Sequence, residues 1–336
     1  MRKFAVLFAL LASIGVAQAD VGIFGTMDAG VSSVKAPGAS TATTSFTSGG
    51  MTTSNIGIKG SEDLGNGSKA VFELSSFLNN GTGATLGGST VNTFARSAFV
   101  GLSDAKLGTL TMGRQSNPSF LPTILFNAYG DSGSYGPLWH ATYFGNTGNA
   151  STQVFNDTAW DNSVAYTAPT LAGATVSAIT SKTGGGQNAG ANVLYFKGDL
   201  GLTAFYQRTG ANSTGSFQTN IYTTNQSSVA KGAGASYDLK VAKLFATYQT
   251  ADADDQNIHG KTWQTSALIP FGPGNVMAEY ASSKTKGASA GKYHEYSLGY
   301  DYPLSKKTDA YVTAGRTTVT AQTEGQTLGA GLRVRF

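Results

Sequence analysis

Leu328-Gly329-Ala330-Gly331-Leu332-Arg333-Val334-Arg335-Phe336 ends the chain, and its side chains sort by parity. Leu328, Ala330, Leu332, Val334 and Phe336 share one parity; Gly331, Arg333 and Arg335 share the other. Successive side chains of a strand point to opposite faces, so this segment is a strand with one greasy and one charged face. At the edge of a soluble sheet such a strand would invite pairing with other chains.

The same division runs back through the chain. Val21, Ile23, Met27, Ala29 and Val31 oppose Thr26 and Asp28; Ile56 and Ile58 oppose Asn55 and Lys59; Ala70, Phe72 and Leu74 oppose Lys69, Glu73 and Ser75. Leu244, Ala246 and Tyr248 oppose Lys243, Thr247 and Gln249, and Tyr296, Leu298, Tyr300 and Tyr302 oppose Tyr293, Glu295, Ser297 and Asp301. Segments 93–102 and 193–197 do not alternate cleanly, and their faces stay open. Wet faces this rich in charge cannot close into a dry core without burying many ionised groups. They need water in the middle.

Connections alternate in length. Short turns are expected at Asn66-Gly67, a pair that tolerates positive φ, and near 103–108, 169–173, 198–201, 238–242, 271–275 and 303–308. Longer loops rich in glycine, serine or threonine are expected near 35–50, 79–92, 116–160, 184–190, 210–228, 252–260, 284–291 and 320–325. Strict alternation puts every long loop at one end, as in an outer-membrane barrel, and the strands between number about 16. The expected fold is all-β: a 16-stranded antiparallel transmembrane β-barrel over residues 20–336.

Composition agrees. Charged residues make up only 12% of the chain, while glycine fills 44 positions, which suits tight turns and an apolar outer face. Arg2 and Lys3 precede an apolar run from Phe4 to Val16, and Ala17-Gln18-Ala19 offers a cleavage site, so residues 1–19 read as a signal peptide for export. Without Arg2 and Lys3, the 23 basic residues become 21 against 19 acidic ones, a balance that argues against nucleic-acid binding. The chain has no cysteine, so its stability owes nothing to disulfides.

Residues 116–160 form the longest loop, with Pro118, Pro122, Asp131, Trp139, His140 and Asp157 among glycines and aromatics. Loops of this length inside a compact fold are usually functional. The expectation is that this loop folds into the barrel and narrows the hole; an ordinary surface loop is the alternative.

These segments resemble the general porins of the Neisseria and Burkholderia type, trimeric channels of the Gram-negative outer membrane. The likeness is carried by Ile56-Gly57-Ile58-Lys59-Gly60-Ser61-Glu62-Asp63-Leu64-Gly65-Asn66-Gly67, Arg96-Ser97-Ala98-Phe99-Val100-Gly101-Leu102, Gly108-Thr109-Leu110-Thr111-Met112-Gly113-Arg114-Gln115, Asn162-Ser163-Val164-Ala165-Tyr166-Thr167-Ala168-Pro169 and the closing Gly331–Phe336. It implies a homotrimer with one channel per chain, an inward-folded third extracellular loop, and wall arginines facing loop carboxylates. Arg96 and Arg114 match wall arginines, and Asp131 is the loop carboxylate set opposite them. Asn55 and Ala159 stand where strongly anion-selective relatives carry further arginines. The terminal Phe336 resembles the signal by which such barrels are passed to their insertion machinery.

The fixed charges expected in the lumen are thus Arg96, Arg114, Asp131, Lys59, Glu73 and Asp28, with Lys59 and Glu73 a wall pair on adjacent strands. Strict alternation sets Arg114 beside Leu110 and Met112, so it reaches the lumen only through a bulge or where the strand has already left the apolar band. Low-dielectric walls focus such charges on passing ions, which implies weak selectivity with an anionic lean. His140, His259 and His294 are far apart and have no nucleophile or metal-ligand spacing; His294, in parity with Tyr296, reads as an interfacial anchor. Asp252-Ala253-Asp254-Asp255 lacks the glycine and glutamate of a calcium loop and reads as a solvated tip. The sequence therefore implies passive diffusion of small hydrophilic solutes and ions, with lipid and lipopolysaccharide around the barrel and no cofactor, metal or catalysis. Two alternatives stay open: an outer-membrane barrel enzyme of lipase or protease type, and a secreted β-rich binding protein or adhesin.

Overall fold

The computed structural model describes residues 19–85, 93–144, 158–211, 213–217, 220–224, 227–253, 257–287 and 290–336. Residues 1–18 of the expected signal peptide lie outside them, as do Asp157, Asp254 and Asp255. The alternating segments form β1 (Asp20–Lys35), β2 (Thr43–Ser48), β3 (Asn55–Gly65), β4 (Ser68–Phe77), β5 (Ser97–Asp104), β6 (Gly108–Ser116), β7 (Ala159–Thr167), β8 (Ala174–Thr183), β9 (Gly186–Lys197) and β10 (Leu200–Thr209). Beyond a small hairpin, β11 (Ser213–Phe217) and β12 (Asn220–Thr224), come β13 (Ser228–Asp238), β14 (Lys243–Ala253), β15 (Ile258–Phe271), β16 (Gly274–Gly287), β17 (Gly291–Pro303), β18 (Thr308–Val319) and β19 (Gly325–Arg335).

Each wall strand pairs antiparallel with its neighbour, and β19 closes on β1, from Thr26 opposite Arg335 to Lys35 opposite Gln326. The first half of β1 pairs with β3 and the second half with β2, so β2 and β3 serve as one wall strand interrupted at 49–54. With β11 and β12 paired only to each other, the described residues form a closed barrel of sixteen strands. The seam runs on past Arg335, where the Phe336 and Gly25 backbones exchange hydrogen bonds of 3.1 and 3.2 Å.

Burial is inverted relative to a soluble protein. Ile23 is 68% exposed and Leu298 58%, whereas Asp28 and Glu295 are buried at 0% and 3%. A soluble fold would forfeit about 1.5–3 kcal/mol for each such apolar side chain left in water; acyl chains supply the missing partner. Two aromatic bands bound this surface. At one level Trp263 packs on Tyr280 with ring centroids 5.1 Å apart, and Tyr280 shares a 2.8 Å hydrogen bond with His294 Nδ1, placing His294 as an outward anchor. At the other, Phe271, Tyr300 and Tyr302 cluster. Trp263 and Phe271 both lie on β15; their eight-residue separation, at about 3.3 Å per residue and a tilt of about 40°, marks a belt roughly 20 Å tall. The two unclear segments resolve as well: Val100 and Leu102 face outward, and within 193–197 Phe196 turns inward to stack on Phe126 of the long segment, with ring centroids 5.6 Å apart.

The turns fall where expected, with Asn66 and Gly67 both at positive φ. The long loops are shorter than the sequence suggested. Thr183 pairs directly with Gly186, so the expected 184–190 loop is a two-residue turn. Residues 35–50 hold β2, and 210–228 hold the β11–β12 hairpin. Glycine and serine runs that read as loop thus extend strands where a ladder partner satisfies their backbones.

Candidate functional site

The described part of the long segment carries a short helix, Phe120–Leu125, one helical turn at Pro137–Trp139 and a π turn at His140–Phe144. None of these could stand alone in water, since helices this short are marginal without packing. Their support comes from the polar-parity face of the wall. Tyr129 and Tyr135 pack with Phe245, Met277 and Tyr311; Trp139 and Tyr143 with Phe205; Ala141 with Ala281 and Tyr293. Tyr135 lies so close to β19 that a Cβ on Gly329 would come within 2.4 Å of its ring. The bare glycine of the closing strand is a seat for this ring.

Two buried wall carboxylates hold the segment, Glu279 by its backbone and Glu295 by the His140 side chain. Glu279 accepts the Leu138 N–H at 2.7 Å and the Tyr129 N–H at 3.3 Å, and Ser266 Oγ accepts the Ala128 N–H at 3.0 Å. Glu295 faces His140 Nδ1 at 2.9 Å, while His140 Nε2 lies 3.0 Å from the Gly133 carbonyl. Burial opposes the imidazolium, but the Glu295 charge and hydrogen bond outweigh it and raise the His140 pKa. Sequence reading put Glu295 on the wet face without assigning it a partner; a carboxylate on a strand does not announce what will arrive opposite it.

Two expected lumen charges serve as anchors instead. Asp28 is fully buried and accepts the N–H groups of Gly50, Met51 and Thr52 at 3.2, 2.9 and 2.8 Å, and the Tyr311 hydroxyl at 2.6 Å. It fixes the 49–54 interruption, and its charge is satisfied there rather than presented to a passage. Arg114 is 6% exposed; its Nε donates to the Ala95 carbonyl at 2.5 Å and its Nη1 to Asp161 at 2.8 Å. The bulge exists, as the β6–β7 register shifts between Gly113 and Gln115. Gly113 permits it: φ is +131° and a Cβ would collide with the Ala98 carbonyl at 2.1 Å. The bulge turns Arg114 off the lipid face and into the root of the long segment.

Opposite the packed side of the segment, two spaces of about 380 and 570 Å³ share the wall residues Glu73, Phe99, Gln115 and Thr167. Arg96, Glu73 and Asp131 line the first; Lys59, Glu73 and Asp20 line the second. Arg96 Nη1 reaches Glu73 at 3.3 Å and Ser75 Oγ at 3.4 Å, with a third of its side chain open. Lys59 is the register partner of Glu73, as expected, but its ammonium sits 5.1 Å above the Phe24 ring, and the carboxylate pairs with Arg96. Burial pushes the Asp131 carboxyl up from its ordinary value, against a hydrogen bond from Thr52 and the pull of Arg96 and Arg333. Arg333 thus acts on Asp131 alongside Arg96. Arg333 is itself held by Asp309 at 2.7 Å, Asp301 at 3.1 Å and Thr52 at 2.8 Å. Asn55 and Ala159 are both buried. His259 pairs with Asp252 at 3.1 Å, away from His140 and His294 in the chain.

Comparison with known proteins agrees with this architecture. An outer membrane porin protein of Bordetella pertussis is 27% identical over 403 aligned positions, covering all of both chains. Major outer membrane protein P.IB of Neisseria meningitidis serogroup B is 28% identical over 334 positions, 94% of this chain and 93% of that one. The solved anion-selective porin from Comamonas acidovorans superposes with a TM-score of 0.77 over 95% of this chain and 100% of that one, at 23% identity. The family profile for Gram-negative porins matches residues 5–322, and the chain belongs to that family.

Proposed function

We propose that each barrel of this outer-membrane porin is a passive channel for small hydrophilic solutes and ions, that residues 116–160 are its constriction loop, and that three chains assemble side by side. No bond is made or broken in the process. The observation that carries the reading is the pair of adjoining spaces along the β3–β8 wall, where charged and hydroxyl side chains stand among apolar ones while the long segment packs against the opposite wall. Arg96 and Lys59 are the basic side chains along these spaces; Glu73 is tied to Arg96, and burial weakens the acidity of Asp131. That near balance supports weak selectivity with an anionic lean, in keeping with the anion-selective Comamonas porin. Phe336, exposed at the end of β19, is the proposed recognition point for barrel insertion.

Reversal potentials in a salt gradient across a planar bilayer test the charge assignment. Arg96→Gln is expected to lower the chloride-to-potassium permeability ratio about twofold, and Asp131→Asn to raise it by a similar factor. If neither variant moves the ratio, these residues do not set the field.

A further inference from the structure

We propose that the passage contains a subsite for zwitterionic solutes carrying an aromatic or branched apolar group, such as amino acids and short peptides of that kind. The proposal rests on the channel reading above. Phe120 and Ile124 of the short helix pack on the Trp139 cluster, yet together with Leu121 they also line the 380 Å³ space. Leu121 is 37% exposed there. Spacings of three and four residues put Ile124 beside Leu121 and Phe120 on one helix face, and Phe120 is braced edge-on by Trp139 with centroids 6.2 Å apart. The result is a fixed apolar plate beside the charged side chains of the same space.

Arg96 on one hand and Glu73 and Asp131 on the other line the same space. A simple organic anion meets Arg96 but also two carboxylates, and an organic cation meets the reverse. A zwitterion satisfies both signs: its carboxylate on the guanidinium, its ammonium on the acidic side, its apolar group on the plate. Small-molecule sites commonly enclose about 300–1,000 Å³ of mostly apolar lining with a few convergent polar groups, and this space lies at the small end of that range.

The test is blockade of single-channel current in a planar bilayer by L-phenylalanine, glycine, 3-phenylpropionate and 2-phenylethylamine, each added to the full-length porin. Phenylalanine is expected to block with an association constant about tenfold above glycine, the scale of one modest apolar contact, and above both singly charged analogues. Leu121→Ser combined with Ile124→Ser should reduce phenylalanine block toward the glycine level. Equal block by phenylpropionate and phenylalanine overturns the zwitterion assignment. Normal ion conductance with no preference for phenylalanine over glycine overturns the subsite, and absence of conductance from the folded wild type overturns the channel reading beneath it.

Discussion

Asp28→Ala is expected to cost the barrel roughly 3–5 kcal/mol of stability, read as a lower denaturant midpoint for unfolding in detergent. The side chain accepts three successive backbone N–H groups and a tyrosine hydroxyl in a place with no access to solvent. Alanine leaves these donors buried without an acceptor, and each such group forfeits about 1–3 kcal/mol. Part of that is recovered as the 49–54 turn relaxes. Asp28→Asn keeps one acceptor oxygen and should fall about midway. A midpoint unchanged in Asp28→Ala would show that the turn is held by other contacts.

Glu279→Ala acts on the loop rather than the wall. The sixteen-stranded ladder does not need this carboxylate, but Leu138 and Tyr129 lose their acceptor, and the segment lies on the wall largely through such contacts. The variant is expected to insert normally and to show a severalfold larger, noisier single-channel conductance as the segment leaves the lumen. An unaltered conductance would mean that the aromatic packing alone seats it. The neighbouring His140–Glu295 contact adds a pH dependence of defined sign. The folded-state pKa of His140 is raised, so its stabilising contribution is complete below the unfolded value of about 6.5 and is lost as pH rises through the folded value. Conductance noise should therefore grow on the alkaline side in the wild type, and the change should vanish in His140→Gln.

Much of the wall was legible because its code is local. A period of two separates Ile58 from Lys59 and Leu298 from Ser297 without knowledge of any partner, and Asn66-Gly67 specifies its own reversal. The interior was less legible, since its roles depend on what arrives from elsewhere in the chain. Asp28 read as a lumen charge because nothing in its strand reveals that residues 50–52 will turn their amides toward it. For Arg114 a bulge was one of two routes that parity left open, and its partner Asp161 lies across 40-odd residues of loop. Arg333 was placed on the wet face and left without a role, though it is the arginine acting on Asp131 together with Arg96. Gly329 gave no signal of its own, because a seat for a ring is visible only once Tyr135 is in place.

The central claim is that adjacent residues of one strand face lipid and water in turn, and the absence of native cysteine makes it directly testable. Lys59→Cys and Ile58→Cys, each a lone thiol, can be exposed to a membrane-impermeant cationic thiol reagent while current through the bilayer-inserted porin is recorded. The account predicts stepwise current changes for Lys59→Cys and none for Ile58→Cys; modification of Ile58→Cys with Lys59→Cys silent would contradict it.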